Sequence, residues 1–335
     1  MPRRSDQLLR VENLRITVPA SGRETVEAVH GASFAVARGE AVGLVGESGS
    51  GKTLTCRAVL GVLPRDVEVA SGRIVFDGLR LDEFRRREWE GVRGRRIGAV
   101  FQDPTSFLNP SLSIGSQLVE VLRVKGGLRR AEAARRALEL LERMGIHHPE
   151  HVFQQVPAQL SGGMLQRVMI AIAVSCDPEL IVADEATTAL DVTTEREVID
   201  LLRSLRERSS SSLLMVSHDL AVVAELCDRI VVFYAGEVVE SGPVEQIVSD
   251  PRHPYTQALL RVASLGDGEH RALEVIPGQP PQVGARIAGC RFADRCPHVT
   301  ALCTSGPIDL RPLEGERAAR CVLAEAPVRS HAVVA

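Results

Sequence analysis

The chain has 335 residues, enough for one large domain with an extension or for two domains. Its 44% hydrophobic and 25% charged residues are ordinary for a water-soluble globular protein, and a formal net charge of -3 argues against nucleic acid as the main partner. The longest apolar runs, such as Ile230-Val231-Val232-Phe233-Tyr234, are strand-sized and fall well short of the roughly 18 residues a membrane-spanning helix needs. Met1 to Gln7 carries charge with no apolar core behind it, so no secretory leader is expected there. The chain is expected in the cytoplasm, with any membrane link made through partner proteins.

In chain order, Ala41-Val42-Gly43-Leu44-Val45 reads as a buried strand that runs into a glycine loop and then a helix over Leu54 to Leu60. Ile97 to Phe101 is a second strand. From about Pro104 to Cys176 the chain is poor in strands and rich in helix formers, notably Arg130 to Arg143, which predicts a helical insertion. Leu180-Ile181-Val182-Ala183 is a third strand, and Val198, Leu201, Leu202 and Leu205 then recur at helical spacing. A serine linker, Ser209 to Ser212, leads into a fourth strand at Leu213-Leu214-Met215-Val216. The run ending at Tyr234 and the following Ala235-Gly236-Glu237-Val238-Val239 read as strand, tight turn and strand. Continuous apolar strands alternating with helices predict an α/β fold with a mostly parallel sheet covered on both faces. Beyond Gly242 the texture changes. Pro251, Pro254, Pro277, Pro280 and Pro281 punctuate a tail with a short helix near Gln257 to Val262.

The chemistry starts at Gly46-Glu47-Ser48-Gly49-Ser50-Gly51-Lys52-Thr53, a full match to G-x-x-x-x-G-K-T between strand and helix. Backbone N–H groups of such a loop close around phosphate oxygens, and the helix behind it points its positive end at them. Lys52 is placed to neutralise the outer phosphates and Thr53 to ligate magnesium. Asp184 and Glu185 end the third strand. A carboxylate there suits magnesium and the next one suits a base that polarises water, although such a pair alone is also common in a solvated turn. His218, in Val216-Ser217-His218-Asp219, closes the fourth strand, where a histidine is placed to contact the γ-phosphate, although a lone histidine is more often structural. Between loop and acidic pair lies Leu160-Ser161-Gly162-Gly163-Met164-Leu165-Gln166-Arg167, a polar, glycine-rich helix start followed by an apolar face of Met164, Leu165, Val168, Met169 and Ile172.

Together these runs resemble the ABC-type ATPases over about residues 8 to 245. In that likeness Gly46 to Thr53 corresponds to the Walker A loop and Gln102, in Phe101-Gln102-Asp103-Pro104, to the Q-loop glutamine near magnesium. Ser161, Gly162, Gly163 and Gln166 correspond to the signature, Asp184 to Walker B and Glu185 to the catalytic glutamate. Asp191, in Ala189-Leu190-Asp191, corresponds to the D-loop and His218 to the switch histidine. The resemblance implies a phosphate-loop NTPase core, an antiparallel N-terminal β subdomain and an inserted helical subdomain at about 104–176. It implies a nucleotide-binding domain over 1–245 and a loop-rich C-terminal extension over 246–335. It also implies ATP and Mg2+, and a head-to-tail pair in which each signature closes on the nucleotide of the other subunit. Two positions depart from the family pattern. Val18 stands where an aromatic ring usually stacks on adenine, and Ala186 replaces the commoner proline after the glutamate.

Phe101-Gln102-Asp103-Pro104, Leu108-Asn109-Pro110 and Arg252-His253-Pro254-Tyr255-Thr256-Gln257-Ala258-Leu259-Leu260 are similar to the oligopeptide, dipeptide and nickel importer branch. So is the tail with Cys290, Cys296, Cys303 and Cys321. Four thiolates in a loop-rich segment suit a 4Fe-4S cluster or a tetrahedral zinc ion, and ordinary buried thiols are the plain alternative. A reducing cytosol disfavours disulfides. Five, six and seventeen intervening residues lack the short pairs of a zinc ribbon, and members of the branch associate these cysteines with an iron–sulfur cluster. His253-Pro254-Tyr255 reads as a helix entry with a packed ring rather than a catalytic element. The implied partners are two permease subunits, an extracytoplasmic binding protein and a second ATPase, identical or paralogous, at the cytoplasmic face of the membrane. Di- or oligopeptides are the expected substrate, with nickel or another small solute as the alternative. A DNA-repair ATPase would need coiled-coil insertions, and a translation-associated one would need two motif sets; this chain has neither.

Overall fold

The computed structural model describes residues 6–20, 24–186, 191–208, 210–263 and 275–324. Met1 to Ser5, Ala189 and Leu190 of the D-loop run, and Ser209 of the serine linker lie outside them.

Strands β1 (Gln7–Pro19) and β2 (Thr25–Ala37) pair antiparallel, and β3 (Ala41–Val45) enters the glycine loop ahead of α1 (Lys52–Leu60). β4 (Glu68–Phe76) and β5 (Leu79–Arg80) complete a four-stranded antiparallel sheet in the order β2-β1-β4-β5. Its inner residues Leu9, Val11, Leu14, Ile16, Ile74 and Phe76 share a core with Cys56, Val59 and one face of the main sheet. Thus the resemblance-based expectation of a separate N-terminal β layer holds.

After the short helix α2 (Arg86–Glu90), β6 (Ile97–Val100) leads into consecutive helices: α3 (Pro104–Phe107), α4 (Ile114–Val124), α5 (Arg130–Arg143), α6 (Pro149–Gln154) and α7 (Gly162–Val174). Ser113 caps α4 by accepting from Ser116 N. Along α5, Ala133, Ala137, Leu140 and Leu141 are buried while the arginines face out, the stripe expected of a surface helix. Those side chains meet Ile114, Leu118 and Leu122 of α4. Leu140 is fully buried, and Leu140→Ala would cost about 2–5 kcal/mol.

The rest of the core alternates as the sequence predicts: β7 (Leu180–Asp184), α8 (Val192–Arg208), β8 (Ser212–Val216), α9 (Leu220–Leu226), β9 (Arg229–Tyr234) and β10 (Glu237–Pro243). The tail holds α10 (Val244–Ser249), α11 (Pro254–Ala263), α12 (Ala301–Thr304), β11 (Arg311–Pro312) and β12 (Ala318–Ala319). The main sheet runs β11-β12-β10-β9-β3-β8-β7-β6. Its β9-β3-β8-β7-β6 part is parallel, and β10, β12 and β11 add an antiparallel edge.

That edge is a finding the sequence did not announce. Two-residue strands carry no alternation to read, yet Ala318 and Ala319 pair with Ser241 and Glu240 of β10. Arg320 locks the join by donating from Nε to Val238 O (3.0 Å) and from Nη1 to Ile308 O (2.7 Å). Glu240, fully buried, accepts from the backbone N–H of Arg252 (2.7 Å) and His253 (2.9 Å). The extension is therefore built onto the core sheet.

Candidate nucleotide site

Parallel strands deliver their carboxyl ends to one side of a sheet, where open α/β folds bind ligands. Here β3 delivers the glycine loop, β8 delivers Ser217-His218, β7 delivers Asp184-Glu185 and β6 delivers Gln102, with β3, β8, β7 and β6 as successive neighbours. Residues far apart in sequence are gathered by that register alone, since Asp184 pairs with Val216 and Ala183 with Val100.

The loop turns sharply at Gly46, whose φ is 142°; a Cβ there would lie 2.1 Å from Phe233 O, so no other residue fits. Lys52 is only 4% exposed and donates through Nζ to Gly46 O (2.7 Å), Glu47 O (2.9 Å) and Ser50 Oγ (3.2 Å). Burial lowers its pKa, opposed by the carboxylates of Glu185 and Asp184. Its cation is thus held inside the loop with both carboxylates near enough to matter. Thr53 Oγ1 donates to Asp184 Oδ1 at 3.0 Å, and burial raises the pKa of that carboxyl against the effect of this bond. A hydroxyl and a carboxylate side by side are the oxygen donors that suit a hard cation; magnesium takes one or two carboxylates and fills its shell with water and phosphate.

Glu185 adopts φ 51° and donates its N–H to Val216 O at 3.0 Å, so the backbone is in the left-handed region just past the strand. Asp219 caps α9 by accepting from Ala221 N at 2.7 Å, which anchors the exposed His218. Gln102 is exposed beyond β6.

The signature run occupies a different place. Ser161 caps α7 by accepting from Met164 N at 3.3 Å, and both Ser161 and Gly162 are exposed. A Cβ on Gly162 would meet nothing within 4 Å, whereas one on Gly163 would lie 2.4 Å from Thr194 Cγ2. Asp191 holds Thr194 by accepting from its N (3.0 Å) and Oγ1 (2.8 Å), bonds that lower the Asp191 pKa. Gln166 differs from the expectation that grouped it with the partner-facing residues. It is 1% exposed and donates through Nε2 to Ala186 O at 2.6 Å. It sits one turn along α7, past the exposed helix start and inside the fold, where it ties α7 to the turn after Glu185.

Cys290, Cys296, Cys303 and Cys321 line one cavity of about 10 Å3 together with His253, Phe292 and Ile308. All are free thiols, and burial pushes Cys290 up to about 11 and raises Cys296 and Cys321. Among the described residues, however, no group of three or more His, Cys, Asp or Glu side chains is placed to hold a metal ion. The donor set matches the expected iron–sulfur or zinc centre, and the arrangement does not assemble it. His253 and Tyr255 pack as expected, with one addition: Tyr255 Oη accepts from Glu47 N at 2.8 Å, so the helix entry touches the phosphate loop. Sequence reading missed Thr194, Tyr255 and Arg295 as neighbours of the site, and no local pattern marks them.

No helix among the described residues is long and apolar enough to cross a membrane. Residues 29–188 match the ABC transporter family and residues 239–303 the oligopeptide/dipeptide transporter C-terminal region. The chain is 41% identical to the oligopeptide transport ATP-binding protein AppD of Bacillus subtilis, over 95% of this chain and 97% of that one. It is 40% identical to the dipeptide transport ATP-binding protein DppD of Escherichia coli, over 88% and 90%. Among solved structures it is similar to the dimeric post-hydrolysis state of the ATP-binding cassette MJ0796 bound to ADP and Pi. That likeness has a TM-score of 0.63 at 29% identity and covers 70% of this chain and 98% of that one. With residues 29–188 and 239–303 matched and a 41% identical relative aligned over 95% of its 335 residues, the chain belongs to the ABC transporter family, as one of its ATP-hydrolysing subunits.

Proposed function

We propose that this subunit powers the import of di- or oligopeptides through a pair of membrane permeases, from the cytoplasmic face of the membrane. The observation that carries the reading is the fusion of a complete phosphate-loop cassette to the oligopeptide/dipeptide transporter C-terminal region. An extracytoplasmic binding protein presents the peptide, and a second ATPase completes the pair.

In this reading the residues take the following roles, which the geometry above supports. Lys52 and the loop N–H groups bind the outer phosphates of ATP. Thr53, Asp184 and Gln102 would hold Mg2+, which when bound neutralises charge on the transferred phosphoryl group. Glu185, beyond the end of β7, orients the attacking water and takes its proton. His218, exposed at the end of β8, would contact the γ-phosphate. Ser161, Gly162 and Gly163 form a capped, outward-facing helix start, and a second subunit's nucleotide is the anion it serves. Asp191 acts through Thr194, against which Gly163 packs. ATP then closes the pair by binding the closed state better than the open one, and hydrolysis reopens it.

The four thiols remain the seat proposed for a 4Fe-4S cluster, supported by donor type alone. Anaerobic purification with iron and sulfide analysis tests it, and an iron-free, well-folded product removes it. For the main reading, the chain is purified with its permeases, placed in vesicles and assayed for ATP turnover with binding protein plus peptides. Peptide-dependent turnover supports the proposal. A complex without an integral membrane protein would sink it, and stimulation by nickel alone would move it to the metal-importing alternative.

A further inference from the structure

Glu47 occupies a position that the phosphate-loop pattern leaves free, yet its side chain and backbone are both bonded to the C-terminal tail. Arg295, 248 residues away, donates from Nη1 to Glu47 Oε2 at 2.7 Å and from Nη2 to Glu47 Oε1 at 2.9 Å, a two-pronged pair. The same guanidinium donates from Nη1 to Tyr234 Oη (3.2 Å), from Nη2 to Ile276 O (3.0 Å) and from Nε to Pro277 O (2.8 Å). All five of its N–H donors are thereby used. The side chain is 3% exposed and sits beside the aromatic trio Tyr234, Tyr255 and Phe292, whose centroids lie 4.6 to 5.4 Å apart. Tyr255 takes the Glu47 backbone N–H as well. Side chain and backbone of one loop residue are thus both fixed by the tail.

We infer that Arg295 is a positioning residue for the phosphate loop, so that the C-terminal extension sets the affinity for nucleotide. Two physical effects act in the same direction. A loop already fixed in its cradle shape loses less conformational freedom when phosphate enters. The guanidinium also balances the Glu47 carboxylate, which would otherwise face a polyanion unpaired. Arg295 immediately precedes Cys296, which lines the thiol cavity, so a change at that cavity has a direct route to the phosphate loop through this side chain.

The inference rests on the loop being the nucleotide site, and the test separates the two. Binding of a fluorescent ATP analogue and steady-state ATP turnover are measured for the wild type, Arg295→Met, Arg295→Lys, Glu47→Gln and the Met/Gln double variant, well below each melting temperature. Arg295→Met is expected to raise Kd and KM about tenfold, with kcat within about twofold, because a buried charge-assisted pair is lost without touching the reacting atoms. Arg295→Lys keeps the charge without the fork and should recover only part of the affinity. The double variant should be no weaker than Arg295→Met, as two ends of one interaction are not additive. A Kd within about twofold of wild type for Arg295→Met, or additive losses, overturns the inference. If Arg295→Met fails to fold, an unchanged Kd for Arg295→Lys does the same. Absence of nucleotide binding by the wild type would instead overturn the reading of the loop.

Discussion

Two helix starts among the described residues, α1 behind the glycine loop and α7 behind Ser161, are proposed to serve phosphate and differ in completeness. At α1 the phosphate loop is closed on itself: Lys52 has three acceptors, Thr53 is bonded to Asp184, and Glu47 is gripped from the tail. At α7 the helix is capped and its first residues face outward, with open space where a side chain at Gly162 would stand. Both are N-termini that favour negative charge, and only one brings its own surrounding groups. The difference teaches that one end of the cassette is finished by folding, while the other, on the proposed function, is finished by assembly.

The sharpest way to break the comparison is Glu185→Gln. Loss of a general base should lower ATP turnover by about two to four orders of magnitude while ATP binding persists and a closed dimer accumulates, read by single-turnover hydrolysis and size-exclusion chromatography. Unchanged turnover would take Glu185 out of the reaction. Next comes Gly162→Val, whose Cβ would meet no described residue within 4 Å. Nucleotide binding and melting temperature should stay near wild type while turnover and ATP-dependent dimerisation fall about tenfold or more, since the obstruction arises only against a second subunit. Normal turnover would mean the outward-facing end needs no partner. Gly163→Ala should do the opposite, because its Cβ collides with Thr194 inside the monomer. A stability loss of about 1–3 kcal/mol, measured by urea denaturation, is expected.

A smaller effect tests the join between the two ends. Gln166→Met leaves Ala186 O without its buried donor and should cost about 1–3 kcal/mol of stability, lowering turnover more than ATP affinity because the bond holds the turn after Glu185. The smallest effect concerns the tail. Burial pushes His253 down to about 3 from its ordinary 6.5. The unfolded chain therefore binds more protons between those values, so the stability contribution is full above pH 6.5 and is lost as pH falls toward 3. His253→Gln should flatten the fall of melting temperature between about pH 6.5 and 4, and an unchanged slope would remove His253 from acid sensitivity.

Much of the cassette was legible because its signals are local. The run Ala41 to Thr53 announces strand, loop and helix within a span where each residue's neighbours are its sequence neighbours, and β3, β6, β7 and β8 fall where continuous apolar runs predict them. The tail was legible only as composition. Its prolines and cysteines could be counted, but Ala318-Ala319 carries no period, and its pairing with β10 comes from side chains such as Arg320 and Arg317 reaching the core sheet. Gln166 was misplaced for a related reason: motif spacing marks a helix start but not which of its residues turn inward.

By itself, then, the sequence determined the phosphate-loop pattern and the acidic pair proposed to act on phosphate, because backbone N–H cradles and paired carboxylates depend on short spacing. Only the tertiary structure decided which of those groups share a surface and which face outward. The parallel register sets Asp184 beside Thr53, and the folded-back tail sets Arg295 against Glu47. Contacts across 131 and 248 residues leave no local trace in a chain, since they arise from sheet order and burial rather than from spacing.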